Sequence, residues 1–362
     1  MLSPFSWIFR LEWKHGLQCV AITRQPDEWI IMQSLPQRSW NHMSERIVFV
    51  TPFPDAAQSA AEIAPDGFEM VVAKAHSPEY LTALANADYL VGFVAGLAQA
   101  ELFEQAPNLK LVQLLSAGYD DADIDAVRAS GVPMANNGGA NSTAVSEHAL
   151  LLMLAISRKL VWQHHNVAAG NWRGNQTPRV FELSGKTVGI VGLGTIGKKT
   201  ARLANAFGMR VIYYDIARLA EHEEDALSVE FRLFKELLAE SDYVSLHTPL
   251  NPSTRHMIGA DALARMQESA YLINTARGPV VDERALYDAL VSGGIAGAGL
   301  DVFDQEPPPI DNPLFKLDNV VLSAHLAGPT FESHAARVRN AFDNVQRVAR
   351  GETPLWVVPE LL

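Results

Sequence analysis

The chain is predicted to be an α/β protein built on parallel sheets, and three observations carry that prediction. Short β-branched runs alternate with helical stretches along most of the 362 residues, the pattern left by parallel strands joined through crossover helices. Thr187-Val-Gly-Ile-Val-Gly-Leu-Gly-Thr-Ile-Gly197 places a G-x-G-x-x-G turn between one such run and a helical stretch. The next strand-like run then ends on an acidic residue, Asp215.

Taken in order, residues 1–42 stand apart. They hold four of the seven tryptophans (Trp7, Trp13, Trp29, Trp40) and the only cysteine, Cys19, with no sustained helix or strand period. They are expected to be a poorly structured N-terminal extension; a small interaction arm is the alternative. From residue 47 the strand-like runs are 47–50, 70–73, 89–93, 112–115 and 133–135, with helices such as 56–63 and 78–85 between them. A long helical pattern, 142–168, leads into the glycine-rich unit and is a candidate connection between two domains. Strand 187–191, a helix from 195 with Gly208 as its stop, and strand 210–214 follow. Further strands are expected at 243–246, 271–274, 297–302 and 320–323. A last helix, 333–350, puts Val338, Ala341, Phe342, Val345, Val348 and Ala349 on one face, and Gly351 is a natural stop.

The glycines of the turn have separate functions. Gly192 permits the tight turn, Gly194 lets backbone approach a pyrophosphate, and Gly197 lets helix pack closely on strand. The amides from Thr195 and Ile196 onward open the helix and supply unpaired N–H groups to a phosphate. Asp215 stands where a carboxylate bonds the adenosine ribose hydroxyls and repels the extra phosphate of NADP, which favours NAD. Arg218, three residues on, would soften that preference.

Composition narrows the field. An apolar content of 48% with 19% charged residues suits a globular chain of about two domains. A net charge of −12 argues against nucleic acid or an anionic membrane as partner. One cysteine permits no intrachain disulfide, so a reducing, cytoplasmic setting is expected. No apolar run approaches the roughly 18 residues of a membrane span. No metal site is expected: His164 and His165 are adjacent and point apart on a helix, and no Cys/His cluster has zinc spacing. Gly293-Gly-Ile-Ala-Gly-Ala-Gly299 lacks the Lys-Ser/Thr of a phosphate loop. Glu147-His148, inside the connecting helix, is expected to serve packing or a hinge.

Three segments after the nucleotide unit carry polar residues at the carboxyl ends of expected strands, where open α/β sheets bind ligands. They are Ile273-Asn-Thr-Ala-Arg277-Gly-Pro-Val-Val-Asp-Glu283, Leu300-Asp301-Val-Phe-Asp-Gln-Glu306-Pro, and Ser323-Ala-His325-Leu-Ala-Gly328. With the G-x-G-x-x-G unit, in this order and spacing, the chain from about Met43 onward closely resembles the D-isomer-specific 2-hydroxyacid dehydrogenase family. The resemblance implies a catalytic set of Arg277, Glu306 and His325. An arginine can fork onto a substrate carboxylate and polarise a 2-keto oxygen. A histidine can give a proton to that oxygen or take it back, and a nearby glutamate favours the imidazolium. The resemblance further implies that Ser116, Ala117 and Gly118 form a substrate loop whose amides hold the carboxylate. His247-Thr248-Pro249 and Thr275-Ala276-Arg277 would line the coenzyme, and Asp301 would contact the nicotinamide carboxamide. His325 and Gly328 would close that side.

The fold so implied is two doubly wound parallel-sheet domains, a Rossmann coenzyme domain (143–330) and a flavodoxin-like substrate domain (43–142 plus 331–362), with the site in the cleft. A homodimer through the coenzyme domains is expected, with NAD as cofactor and a small 2-oxo or 2-hydroxy acid as substrate. Glyoxylate, hydroxypyruvate or pyruvate, with an uncharged side chain, is expected, because no Lys or Arg occurs between Lys74 and Lys110 to meet a substrate phosphate. Two other readings are weighed. Formate dehydrogenases resemble this family but carry glutamine where this chain has Glu306. An NAD-binding regulatory protein of the corepressor type, with little turnover, keeps the Arg, Glu and His; the lack of a regulatory tail after the last helix weighs against it, and turnover of 2-oxo acids separates the two.

Overall fold

The computed structural model describes residues 7–9, 20–25, 28–31, 44–174 and 176–362. Among the described residues, fifteen strands fall into three sheets. The first is a small antiparallel ribbon of β1 (Trp7–Phe9), β2 (Val20–Gln25) and β3 (Glu28–Ile31), paired in that order. No period in residues 1–42 announces these strands. Trp13, Cys19 and Trp40 lie outside the described residues.

The second sheet contains β4 (Glu45–Val50), β5 (Phe68–Ala73), β6 (Tyr89–Gly92), β7 (Leu111–Leu114) and β8 (Met134–Ala135). All pairs are parallel in the order β5-β4-β6-β7-β8. The third contains β9 (Thr187–Val191), β10 (Arg210–Tyr214), β11 (Glu230–Phe231), β12 (Tyr243–Leu246), β13 (Tyr271–Asn274), β14 (Gly297–Leu300) and β15 (Val320–Leu322). It runs β11-β10-β9-β12-β13-β14-β15, again wholly parallel. In both sheets the order reverses beside the first strand, β4 or β9, which opens a crevice at the carboxyl ends there. The protein is therefore α/β with two doubly wound parallel sheets. Strands β12 and β13 are buried at every residue, as sheets covered on both faces require.

The long helical pattern breaks in two. Helix Ser142–Ser157 packs Leu152, Met153 and Ile156 among Ile190, Tyr243, Tyr271 and Ile273. It ends at Arg158, and Lys159 takes a left-handed φ of 50° before a second helix, Leu160–Ala168, which buries none of its residues. Periodicity alone ran across that break, because the apolar residues of the second helix keep a helical spacing while facing solvent. The last helix, Phe331–Ala349, returns to the second sheet and buries Val338, Ala341, Phe342 and Val345 against Ile47, Phe49, Tyr89 and Leu111. Each such large apolar side chain contributes about 1.5–3 kcal/mol of burial. Val348 is only partly buried and Ala349 is exposed, so the buried stripe is shorter than the sequence spacing implies. The tail beyond adds an antiparallel bridge, Val357 to Ala135, at the sheet edge.

Among the described residues, no helix is long and apolar enough to cross a membrane, and no group of three or more His, Cys, Asp or Glu could hold a metal ion. Among the described residues, strands β1 to β3 pair only with one another and join neither parallel sheet. A chain starting at Met43 is accordingly expected to express in soluble form and to unfold with the melting temperature of the full chain. Insoluble expression, or a clearly lower melting temperature by circular dichroism, would make the N-terminal ribbon part of the fold.

Candidate active site

The glycine turn follows β9 and opens helix Thr195–Ala206, with Gly194 at its N-cap. Gly192 has φ 92°, and a Cβ there would lie 2.7 Å from His247 O; one on Gly197 would lie 2.2 Å from Gly192 O. Both positions exclude side chains for steric reasons, while the space at Gly194 is open, with nothing within 4 Å. Asp215 leaves β10 beside this turn. Its Oδ2 accepts from Leu193 N at 2.7 Å and its Oδ1 from Ala217 N at 3.2 Å, so the carboxylate also stiffens the turn. Arg218 is held instead by Glu224, at 2.9 and 3.0 Å, which draws its guanidinium onto another carboxylate.

Across the crevice, Thr248 Oγ1, Thr275 Oγ1 and His247 Nδ1 are buried without any hydrogen-bond partner. Burial lowers the His247 pKa to about 4, so its ring is neutral at physiological pH. Buried polar atoms without partners are rare in folded proteins. Here they follow β12 and β13, with His247 and Thr248 against Gly192, and they fit a polar ligand of dinucleotide type lying across the ends of β9, β12 and β13. Pro249 follows, with its carbonyl accepting from Thr254 Oγ1 at 2.7 Å, and Ala276 is buried beside Thr275.

Arg277 lies just past β13. Its Nη1 donates to Ala276 O at 2.8 Å and its Nε to Asp120 Oδ2 at 2.7 Å, a carboxylate contributed by the other sheet's domain. The guanidinium lies so close to Gly118 that a Cβ on that glycine would be 1.5 Å from Nη2. Gly118 is thus needed for the arginine to reach the loop after β7. In that loop Ser116 Oγ donates to Gly118 O at 2.7 Å. Among the described residues, the amides of Ser116, Ala117 and Gly118 donate to no protein acceptor. The Arg277 guanidinium thus packs against a loop with three amides that have no protein acceptor, a donor set of the kind that binds a carboxylate.

His325 Nδ1 meets Glu306 Oε2 at 2.6 Å, which leaves Nε2 for another partner. Burial works to raise the Glu306 carboxyl, but the hydrogen bonds from His325 and from Phe303 N, with the charges of His325 and Arg277, outweigh it and hold the group below the usual carboxylate range. A carboxyl held low in the fold adds stability that is complete above its unfolded pKa, near 4.3, and is lost as pH falls through the lowered folded value. The Glu306 carboxylate is therefore ionised throughout the neutral range.

Asp301 determines where His325 stands. It is fully buried; Oδ1 accepts from Ser323 Oγ at 2.6 Å and Leu326 N at 2.9 Å, and Oδ2 from Ala327 N at 2.9 Å. Its carbonyl accepts from His325 N at 2.7 Å. These bonds hold His325 at φ 53°, a left-handed conformation that a non-glycine residue adopts at some cost. His148 Nε2 adds a contact to Ser323 Oγ at 2.9 Å, tying the connecting helix to the same turn.

The structure brings all the sequence-expected residues to the carboxyl ends of the two sheets, and Gly328 is buried at the end of the histidine turn. It also shows residues that sequence reasoning missed. Asp120 stands two residues past Gly118, but its role depends on an arginine 157 positions away. Ser323 was visible only as a flank of the Ala-His segment. Arg337, on the last helix, reaches Gly328, where a Cβ would lie 2.9 Å from its Nη2. Nothing local in sequence marks that approach.

Comparison with known proteins gives the same picture. Residues 150–327 match the model of the NAD-binding domain of D-isomer-specific 2-hydroxyacid dehydrogenases. The chain is 39% identical over 319 residues to a glyoxylate reductase of Korarchaeum cryptofilum, covering 86% of this chain and 95% of that one. Among solved structures, it is similar to a glyoxylate reductase from Paecilomyes thermophila at TM-score 0.75 and 29% identity, covering 88% of this chain and 100% of that one. A D-lactate dehydrogenase from Aquifex aeolicus, complexed with NAD and lactic acid, gives TM-score 0.72 and 28% identity, covering 84% and 96%.

Proposed function

Since the chain belongs to the D-isomer-specific 2-hydroxyacid dehydrogenase family, and so is an NAD-dependent oxidoreductase acting on 2-hydroxy acids, we propose that it interconverts a small 2-oxo acid and its D-2-hydroxy acid, with Arg277, Glu306 and His325 as the catalytic set. Glyoxylate, hydroxypyruvate and pyruvate set the scale of the substrate, in keeping with the glyoxylate reductases and D-lactate dehydrogenases it resembles. The observation that carries the reading is the Arg277 guanidinium packed against a loop whose amides, at residues 116–118, have no protein acceptor, with its charge acting on Glu306, the partner of His325.

NAD, when bound, supplies or accepts the hydride; the protein supplies placement and charge. We assign its pyrophosphate to the turn of Gly192, Gly194, Thr195, Ile196 and Gly197, and its ribose to Asp215. Thr248, Pro249, Thr275, Ala276, Asp301 and Gly328 are the proposed wall of the nicotinamide end. Arg277 and the amides of Ser116, Ala117 and Gly118 hold the substrate carboxylate, and the guanidinium draws electron density toward the 2-keto oxygen. His325, through Nε2, gives its proton to that oxygen during reduction and takes it back during oxidation. Glu306 keeps the ring oriented and stabilises its charged form.

A homodimer is part of the proposal. The exposed apolar residues Leu160, Val161, Val167 and Trp172 beside the connecting helix offer a face for a second copy. The single cysteine suits a cytoplasmic location.

NADH absorbance with a panel of 2-oxo acids tests the function directly. Turnover of glyoxylate, hydroxypyruvate or pyruvate is expected, with NADH used more efficiently than NADPH, and His325→Ala is expected to lower kcat on the order of 10²-fold or more. NAD binding without turnover of any 2-oxo acid would overturn it. Glu306→Ala removes the carboxylate that holds the His325 ring, so kcat should fall while NADH binding is retained. An unchanged kcat would separate Glu306 from the proton transfer.

A further inference from the structure

Arg337 is a buried charge without a counter-charge. It lies on the last helix with 4% of its surface exposed, and its Nε is buried with no hydrogen-bond partner. Among the described residues, no carboxylate pairs with it. Its surroundings are the ring of Phe93, 5.6 Å below Cζ, the buried His334 one turn earlier, Asn141, and Gly328. Burial alone lowers its pKa, to about 10, so it stays charged at neutral pH. Asp55 acts on His334, whose pKa is nonetheless lowered by burial and by Arg337 itself. A buried cation without a counter-charge is among the costliest features a fold can carry, and among the described residues only the face of the Phe93 ring offsets this one.

Its position accounts for it. Gly328 ends the turn that carries His325, and a Cβ there would lie 2.9 Å from Arg337 Nη2. Phe93 leads into Val94-Ala95-Gly96-Leu97, the loop on which the substrate side chain was expected to rest. Phe53, edge-on to Phe93 at 5.0 Å and 5.1 Å from the ring of His334, completes an apolar wall around the guanidinium. That loop carries no Lys or Arg, and by itself it predicts an uncharged side chain. The cation arrives instead from the far end of the chain. With Arg277 and the amides of residues 116–118 taking the carboxylate next to the keto group, Arg337 lies between the histidine turn and the side-chain loop.

We propose that Arg337 is a specificity-determining residue which gives the cleft a second anion site, so that the preferred 2-oxo acids carry a carboxylate at the end of a short side chain. This rests on the reading of the cleft as a 2-oxo acid reductase site. It deepens that reading by naming the substrate class: a 2-oxo dicarboxylate, spanned by two guanidinium groups. A guanidinium forks onto a carboxylate through two parallel hydrogen bonds, so the second carboxylate would satisfy both the charge and the free donors. A terminal hydroxyl, as in hydroxypyruvate, would satisfy the donors alone.

The test compares diacids with monoacids of equal length on the full-length enzyme with NADH: oxaloacetate against 2-oxobutyrate, and 2-oxoglutarate against 2-oxopentanoate. In at least one pair the diacid is expected to have the higher kcat/KM, by about tenfold or more, and Arg337→Met is expected to lower that ratio on the order of 10²-fold. Arg337→Lys, which keeps the charge but loses the fork, should fall between. The melting temperature separates a structural role: Arg337→Met should melt at or above the wild type, because it removes an uncompensated buried charge. Monoacids favoured in both pairs, or a ratio unchanged by Arg337→Met, would overturn the second site while leaving the reductase intact. Failure to reduce any of the four, or glyoxylate and pyruvate, would remove the underlying reading as well.

Discussion

One fully buried carboxylate organises the cleft. Asp301 leaves the end of β14 with no solvent contact and takes hydrogen bonds from Ser323, Leu326 and Ala327, while its carbonyl takes one from His325 N. A carboxylate cannot be buried without such donors, and a turn with a left-handed histidine is not stable without such an acceptor. Each half therefore requires the other. The result places the His325 ring against Glu306 and leaves Nε2 free. The nicotinamide contact expected of Asp301 from family resemblance is compatible with this arrangement, but the bonds seen in the structure are those that hold the histidine turn.

The second constraint acts between the domains. Arg277 belongs to the nucleotide-binding sheet, and its Nε is held by Asp120 across the cleft. Gly118 has no side chain to block that reach. The guanidinium is thus oriented by one domain and anchored by the other, and its Nη2 has no protein acceptor among the described residues. Because charge-assisted hydrogen bonds of this kind are short and directional, the pair couples the position of the arginine to the spacing of the two domains. The cleft combines a histidine held by Glu306, an arginine held by Asp120 and amides without protein acceptors, fixed donors of the kind that electrostatic preorganisation uses.

Much of this was legible in the sequence, because the residues concerned sit at strand ends. The runs at 187–191, 210–214, 243–246 and 271–274 become β9, β10, β12 and β13 without a shift of a single residue. Apolar strands covered on both faces have abrupt polar ends, so their boundaries show in composition alone. The glycine turn and the Arg, Glu and His segments inherit that clarity. What was not legible depends on contacts between distant segments. The break at Lys159 comes from a backbone conformation, not from a change in period. Strand β11 is two residues long at a sheet edge, and β1 to β3 carry no alternation that a window would detect. Asp120 looks like an ordinary loop carboxylate until Arg277 is placed beside it, and Arg337 like a surface charge on an amphipathic helix until its burial is known.

Native-state hydrogen exchange at the Leu326 and Ala327 amides tests the central claim most directly. In the native protein both should exchange only through rare opening, since the buried Asp301 oxygens hold them. In Asp301→Asn, where one oxygen becomes a donor facing other donors, protection at residues 323–328 should fall by orders of magnitude while that of β9 and β12 is retained. Equal protection of the turn in the two proteins would show that His325 is positioned by something other than this carboxylate.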